Sequence, residues 1–346
     1  MIYSEYSKRI TALGLNTLLC FSVLCSIAQA EVNIYSAREE ALIKPILEVF
    51  SEQTGIKTNL VTAKADALIE RLQREGQYSL ADLLIMTDVA RLHRAKQADL
   101  LQAVQSEKLM QAVPSAYRDS DGHWFGLSLR ARIIAVVKDK VTLQTQPTRY
   151  ESLADEQWRG NICIRSSTNV YNQSLIASMI YADGEEATYD WAQALVANFA
   201  RPPVGGDRDQ VLAAAGGLCD IAVLNTYYLA YMLNNTDQEQ SSAAQKMRVI
   251  WPNQEDRGSH VNISGGGITR NAKNKDEAIQ LLEFLVDEQA QQWYSQVNYE
   301  YPIRDDVQVA DTLKSWGEFK ADSIQLDKLG ELNAAAVKLM DRAGWR

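Results

Sequence analysis

Runs of strand length and runs of helical periodicity alternate along most of this chain, and that alternation leaves few folds open. Residues 32–36 make a short strand, and 41–54 carry apolar residues at helical spacing until Gly55 stops them. Residues 57–62 read as a strand, 65–75 as a helix, 80–86 as a buried strand and 88–96 as a third helix. Strands interleaved with helices in this way predict a parallel sheet within an α/β domain. Residues 124–138 then form one long extended run with Arg130-Ala131-Arg132 at its middle, long enough to cross from one lobe to another. A second series follows, with strands at 161–165 and 219–224 and helices at 172–181, 185–199 and from Thr226. Residues 261–269 are extended and Gly-rich, and 275–294 predict one amphipathic helix. A chain that leaves one lobe, builds a second and returns predicts an α/β, two-lobe fold with a hinged cleft. The expected division is 31–130 in the first lobe, 131–255 in the second, 256–306 as the return, and 307–346 as C-terminal helices packing on the second lobe.

Residues 1–30 stand outside that pattern. Lys8 and Arg9 form a basic start, 10–27 are mostly apolar, and Ala28-Gln29-Ala30 is a small-x-small cleavage site, as in a secretory signal peptide. A retained anchor fits less well, since Thr11, Asn16 and Thr17 interrupt the apolar run. Cleavage near Ala30 and export are expected. The leader carries Glu5, Lys8 and Arg9, so the formal charge of −9 becomes −10 in the mature chain. An acidic exported protein is a poor partner for nucleic acid or an anionic membrane. Two cysteines remain, Cys163 and Cys219, which in an oxidising compartment read as one disulfide, with two buried thiols as the alternative. One bridge cannot hold a fold of this length together, so packing must.

Catalytic apparatus is not visible. His93, His123 and His260 are scattered without zinc spacing, and Ser166, Ser167 and Ser174 fall outside any G-x-S-x-G pattern. Gly205-Gly206 and Gly265-Gly266-Gly267 match no nucleotide-binding motif and read as loop glycines. Attention falls instead on two strand-to-helix junctions. In residues 219–230 a buried strand meets a helix through Asn225 and Thr226, which are helix-capping types, and the helix opens on Tyr227-Tyr228. Adjacent side chains on a running helix diverge by about 100°, but at a junction both phenols can aim past the strand end, where α/β sheets bind ligands. An aromatic pair simply packed in a core is the commoner use of such a dipeptide. The second junction, 165–172, sets Ser167 and Thr168 before a helix start, suited to a small anion or to plain capping, and Tyr171 follows. A Cys163–Cys219 bond would make the two approach strands neighbours and bring the three phenols together. Phenols titrate near 10, so gathering them as phenolates at neutral pH demands a multivalent cation, and a hard oxygen set without thiolates favours iron(III).

These residues resemble a family. Asn33-Ile34-Tyr35-Ser36-Ala37-Arg38, Thr54-Gly55-Ile56-Lys57, Ala81-Asp82-Leu83-Leu84, Trp124-Phe125-Gly126-Leu127 with Arg130-Ala131-Arg132, 167–174, Asn225-Thr226-Tyr227-Tyr228 and 260–265 are similar to the periplasmic ferric-iron-binding proteins of ABC uptake systems, of type 2 periplasmic-binding fold. The likeness covers 31–346. It implies a monomer in the periplasm that binds Fe(III) through Tyr171, Tyr227 and Tyr228 and serves an ABC permease. It further implies that Arg38 and Arg130 hold a synergistic anion such as carbonate or offset the phenolate charge. Where many relatives carry His or His-Tyr this chain has Glu39-Glu40; Glu39 is expected either as solvated surface or as an oxygen ligand. Arg132 is expected as a cleft cation or a hinge salt bridge. Two rivals stand beside this reading: the same fold holding an organic or oxyanion solute, and a secreted metalloenzyme, for which no general base is visible.

Overall fold

The computed structural model describes residues 30–346, so the leader read over residues 1–30 lies outside the described residues apart from Ala30. The first lobe opens with β1 (Glu31–Ser36), α1 (Lys44–Thr54), β2 (Lys57–Thr62), α2 (Ala65–Glu75), β3 (Leu83–Met86) and α3 (Val89–Gln97). Gly55 ends α1 at φ 73°, a left-handed turn that costs a residue without Cβ little, and its N–H bonds the Ser51 carbonyl. β1 lies parallel between β2 and β3, and all four residues of β3 are buried, as a strand covered on both faces must be. After α4 (Glu107–Ala112) comes the long β4 (Phe125–Val137).

The second lobe holds β5 (Ile162–Cys163), α5 (Val170–Asp183), α6 (Glu185–Ala197), α7 (Asp207–Ala215), β6 (Ile221–Asn225), α8 (Thr226–Leu233), α9 (Gln238–Gln245) and β7 (Met247–Ile250). The chain returns as β8 (Val261–Ile268), α10 (Lys275–Leu285), α11 (Glu288–Gln296) and β9 (Tyr301–Pro302), then ends in α12 (Asp311–Lys314) and α13 (Asp327–Arg342). β4 is the shared spine. Up to Ala131 it pairs with β8 and briefly with β9; from Arg132 onward it pairs with β6 and β7. The exchange of partners between Ala131 and Arg132 marks the hinge.

Three local expectations change. The sheet is mixed: β8 runs antiparallel to β3 and β4 because the chain re-enters the first lobe from the hinge end. The single helix expected over 275–294 is two, because the Asp287 carboxylate accepts the Ala290 N–H and starts a new one. Gly265, Gly266 and Gly267 are strand residues of β8, not loop. A Cβ on Gly265 would stand 2.8 Å from the Phe125 carbonyl oxygen, so neighbouring backbone fills the space a side chain would need. At the C-terminus α13 packs against α5 of the second lobe and also against α3 of the first, and buried Trp345 donates its indole N–H to the Arg165 carbonyl at 2.9 Å. Among the described residues no helix is long and apolar enough to cross a membrane.

Cys163 and Cys219 are bonded, with a sequence separation of 56. Cross-linking a loop that long removes about 4 kcal/mol of freedom from the unfolded chain. The double variant Cys163→Ser/Cys219→Ser is therefore expected to melt several degrees below its parent in differential scanning calorimetry, while thiol reduction shifts the parent likewise. An unchanged melting temperature in both would remove the bond from any account of stability.

Candidate metal centre

The disulfide joins the two junctions. β5 pairs parallel with β6 through Ile162 and Ile221, so the segments beyond both strands emerge side by side. Asn169 caps α5 by accepting the Tyr171 N–H at 3.1 Å, which sets Tyr171 in the first turn. α8 follows β6 directly. Its expected caps are used differently: the Asn225 amide oxygen accepts from Arg132 at 3.2 Å, and the Thr226 hydroxyl accepts the Ala131 N–H at 3.4 Å. Both residues fasten the start of α8 to β4 at the hinge.

From there the phenols meet. The Tyr227 hydroxyl donates to the Tyr171 hydroxyl at 3.2 Å, and the Tyr227 and Tyr228 rings lie 4.2 Å apart at 36°. The three line a cavity of about 240 Å³ closed on the first-lobe side by Arg38, Glu39, Thr87 and Glu300. A larger groove of about 810 Å³ beside α4 contains none of these residues. Burial, and then the neighbouring phenols Tyr171 and Tyr228, push the Tyr227 hydroxyl well above its ordinary range, while Arg130 pulls the other way. Burial also raises Tyr228, followed by the charges of Tyr171 and Asp207. Without a cation these two are phenols, not phenolates.

Three arginines touch the cavity in different states. Arg38 is buried and spent: its terminal nitrogens donate to both Glu300 oxygens at 3.0 and 3.1 Å, and one also to the Ser264 hydroxyl. Arg130 is anchored on the Ile263 carbonyl and Ser264, with its guanidinium carbon 5.6 Å from the Tyr171 ring and 5.9 Å from Tyr227. Arg208 lies over the Tyr231 ring at 4.5 Å, and among the described residues its buried Nε has no hydrogen-bond partner. Glu39 is exposed at the rim; Ser167 and Thr168 lie on the loop before α5 and outside the cavity lining.

Arg132 takes the hinge role. It is buried and donates to Asp207 at 2.7 Å and to Asn172 at 2.6 Å, and Asp207 also accepts from Arg165 and the Asn225 N–H. This buried pair ties the first turns of α5, α7 and α8 together, so Tyr171 and Tyr227-Tyr228 hang from one charged knot. Asp207, Arg208 and Glu300 are not among the residues the sequence singles out, and Asn172 stands in the second junction's motif without the role it takes here. Glu300 lies between two tyrosines in an unpatterned stretch, and Asp207-Arg208 look like any polar start of a helix. Away from the cleft, Asp119, Asp121 and His123 converge, but the Lys96 ammonium bridges both carboxylates at 2.6 and 2.9 Å. Buried His260 is pushed down to about 3 by burial and then by Arg132 and Arg257, so it is neutral at the hinge.

Residues 79–323 match the family model described as bacterial extracellular solute-binding protein. Iron uptake protein A1 of Synechocystis sp. is 46% identical over 92% of this chain and 88% of its own length. A Trichodesmium protein (IdiA, FutA), solved in complex with iron and citrate, superposes with a TM-score of 0.89 at 45% identity, covering 92% of this chain and 100% of that one. The ferric binding protein from Campylobacter jejuni gives 0.87 at 40% identity, over 91% and 100%. The Trichodesmium and Campylobacter proteins share this two-lobe fold over their whole length, and none of the three is named as an enzyme. The chain belongs to the bacterial extracellular solute-binding protein family, in its group of iron uptake and ferric-iron-binding proteins.

Proposed function

We propose that this chain captures ferric iron in the periplasm, with Tyr171, Tyr227 and Tyr228 as phenolate ligands, and delivers it to an ABC permease. One observation carries the reading: phenol oxygens from two separate strand-to-helix junctions stand 3.2 Å apart in one cleft. Ligands on adjacent positions of a small hard ion, with bonds of about 2.0–2.1 Å, stand roughly 3 Å apart. Tyr171 and Tyr227 need to shift by only tenths of an ångström to share one ion. Three phenolates balance a +3 charge, and the cations Arg130 and Arg208 stabilise them from outside. Arg38 is closed off by Glu300, so a small anion such as carbonate, taking a remaining coordination position, would lie beside Arg130 or Arg208. The reading requires nothing of Glu39. Closure about the Ala131–Arg132 hinge brings the first-lobe wall over the metal, and the permease receives the closed form. Ferric nitrilotriacetate added to the metal-free protein is expected to produce the broad visible band of phenolate-to-iron charge transfer at one iron per chain. A colourless, saturable complex would put the tyrosines in the stacking role and favour the organic-solute reading.

A further inference from the structure

One buried carboxylate of the cleft is already held by a first-lobe arginine. Glu300 stands just before β9, 4% exposed, with its two oxygens taken by both terminal nitrogens of Arg38 and one of them also by the Ser128 hydroxyl. Burial alone would raise its pKa; the charges of Arg38 and Arg130 outweigh that and hold it below the ordinary carboxylate range, so it is ionised at neutral pH. Arg38 and Arg130 both donate to the Ser264 hydroxyl, so two guanidinium groups lie together on the first-lobe wall of the cavity.

Paired guanidinium forks at the wall of a cleft are a ready receptor for phosphate or carboxylate, which they grip bidentately. Here the fork of Arg38 grips an internal carboxylate instead. The charge of the pair falls from two to one, and what remains faces the phenols. We infer that Glu300 is the specificity-determining residue of this cleft: by occupying Arg38 it denies an oxyanion the paired grip needed to bind as the solute in its own right, so that an anion enters only alongside a trivalent cation. The exclusion rests on the ferric reading only for the identity of that cation.

The test therefore uses iron-free protein and inorganic phosphate. Glu300→Gln keeps the shape and one acceptor but removes the charge, which frees part of the Arg38 fork. In calorimetric titration at low ionic strength and neutral pH, E300Q is expected to bind phosphate at least tenfold more tightly than the parent. Adding Arg38→Met to E300Q is expected to cancel the gain. A folded E300Q that binds phosphate no better than the parent overturns the inference, and so does a gain that survives loss of Arg38. Should E300Q not fold, Glu300→Asp takes its place: its shorter carboxylate satisfies less of the fork, so an intermediate gain is expected and its absence is equally fatal. Ferric titration of the parent runs separately. A phosphate gain in E300Q with no iron band in the parent would uphold the exclusion and sink the ferric reading alone.

Discussion

Tyr227→Phe is expected to lose at least about a thousandfold in ferric affinity and most of the visible band, while melting close to the parent. Outer-shell partners of a metal typically cost 10- to 100-fold when removed, and a direct ligand must cost more. The substitution keeps the ring, and with it the 4.2 Å stack on Tyr228, so packing is preserved. It also removes a hydroxyl whose burial is unfavourable to its charged form, so the metal-free fold loses only the single bond to Tyr171, a net of about 1 kcal/mol. Tyr171→Phe and Tyr228→Phe are expected to behave alike, and the triple variant to take up no iron. The same series separates the rivals. If the rings serve as stacking walls for an organic solute, phenylalanine does that work as well as tyrosine. Competition titration against a chelator reads the affinity; retention of the parent value in the triple variant would end the tyrosinate account.

How far this centre was legible in the chain follows from how local its causes are. The strand-to-helix junctions are short-range features, set by an apolar run, a capping-type residue and a helix start, so Tyr171 and Tyr227-Tyr228 stand out in the sequence, whereas their meeting depended on a Cys163–Cys219 bond that the sequence left open and the fold contains. The long run around Arg130-Ala131-Arg132 likewise announced a crossing, and β4 exchanges partners there. Periodicity could not show strand direction after the return, because residues in buried strands look the same in either sense. Nor could it show which charges cancel. Arg38 and Glu300 are separated by 262 residues, and Arg132 and Asp207 by 75, so the pairing that occupies Arg38 and Arg132 exists only in the folded chain. Asn225 looked like a cap because Asn usually is one in isolation; here a buried guanidinium outbids the helix N–H groups for the same oxygen.

Loading iron at neutral pH is expected to release at least two protons per metal, and the apparent affinity to change at least about 100-fold per pH unit. The sign follows from the metal-free site. Burial and neighbouring phenols hold Tyr227 and Tyr228 protonated well past neutrality, so each must surrender a proton to become a ligand. Binding therefore strengthens as pH rises, and acid drives release. Metal-free stability should run the other way in the alkaline range. A phenol whose pKa is raised by folding favours the fold below the unfolded value near 10, and that contribution is lost as pH climbs through the folded value. Bound iron, by fixing the phenolates, should abolish the alkaline loss. Two measurements check this: proton release in weakly buffered solution on addition of ferric nitrilotriacetate, corrected for the protons the chelate itself exchanges, and melting temperature against pH with and without iron. Tyr227→Phe should lower the proton count by one, linking the pH response to a named oxygen. Release of less than one proton per iron by the parent would mean that the phenols stay protonated and that the metal is held elsewhere.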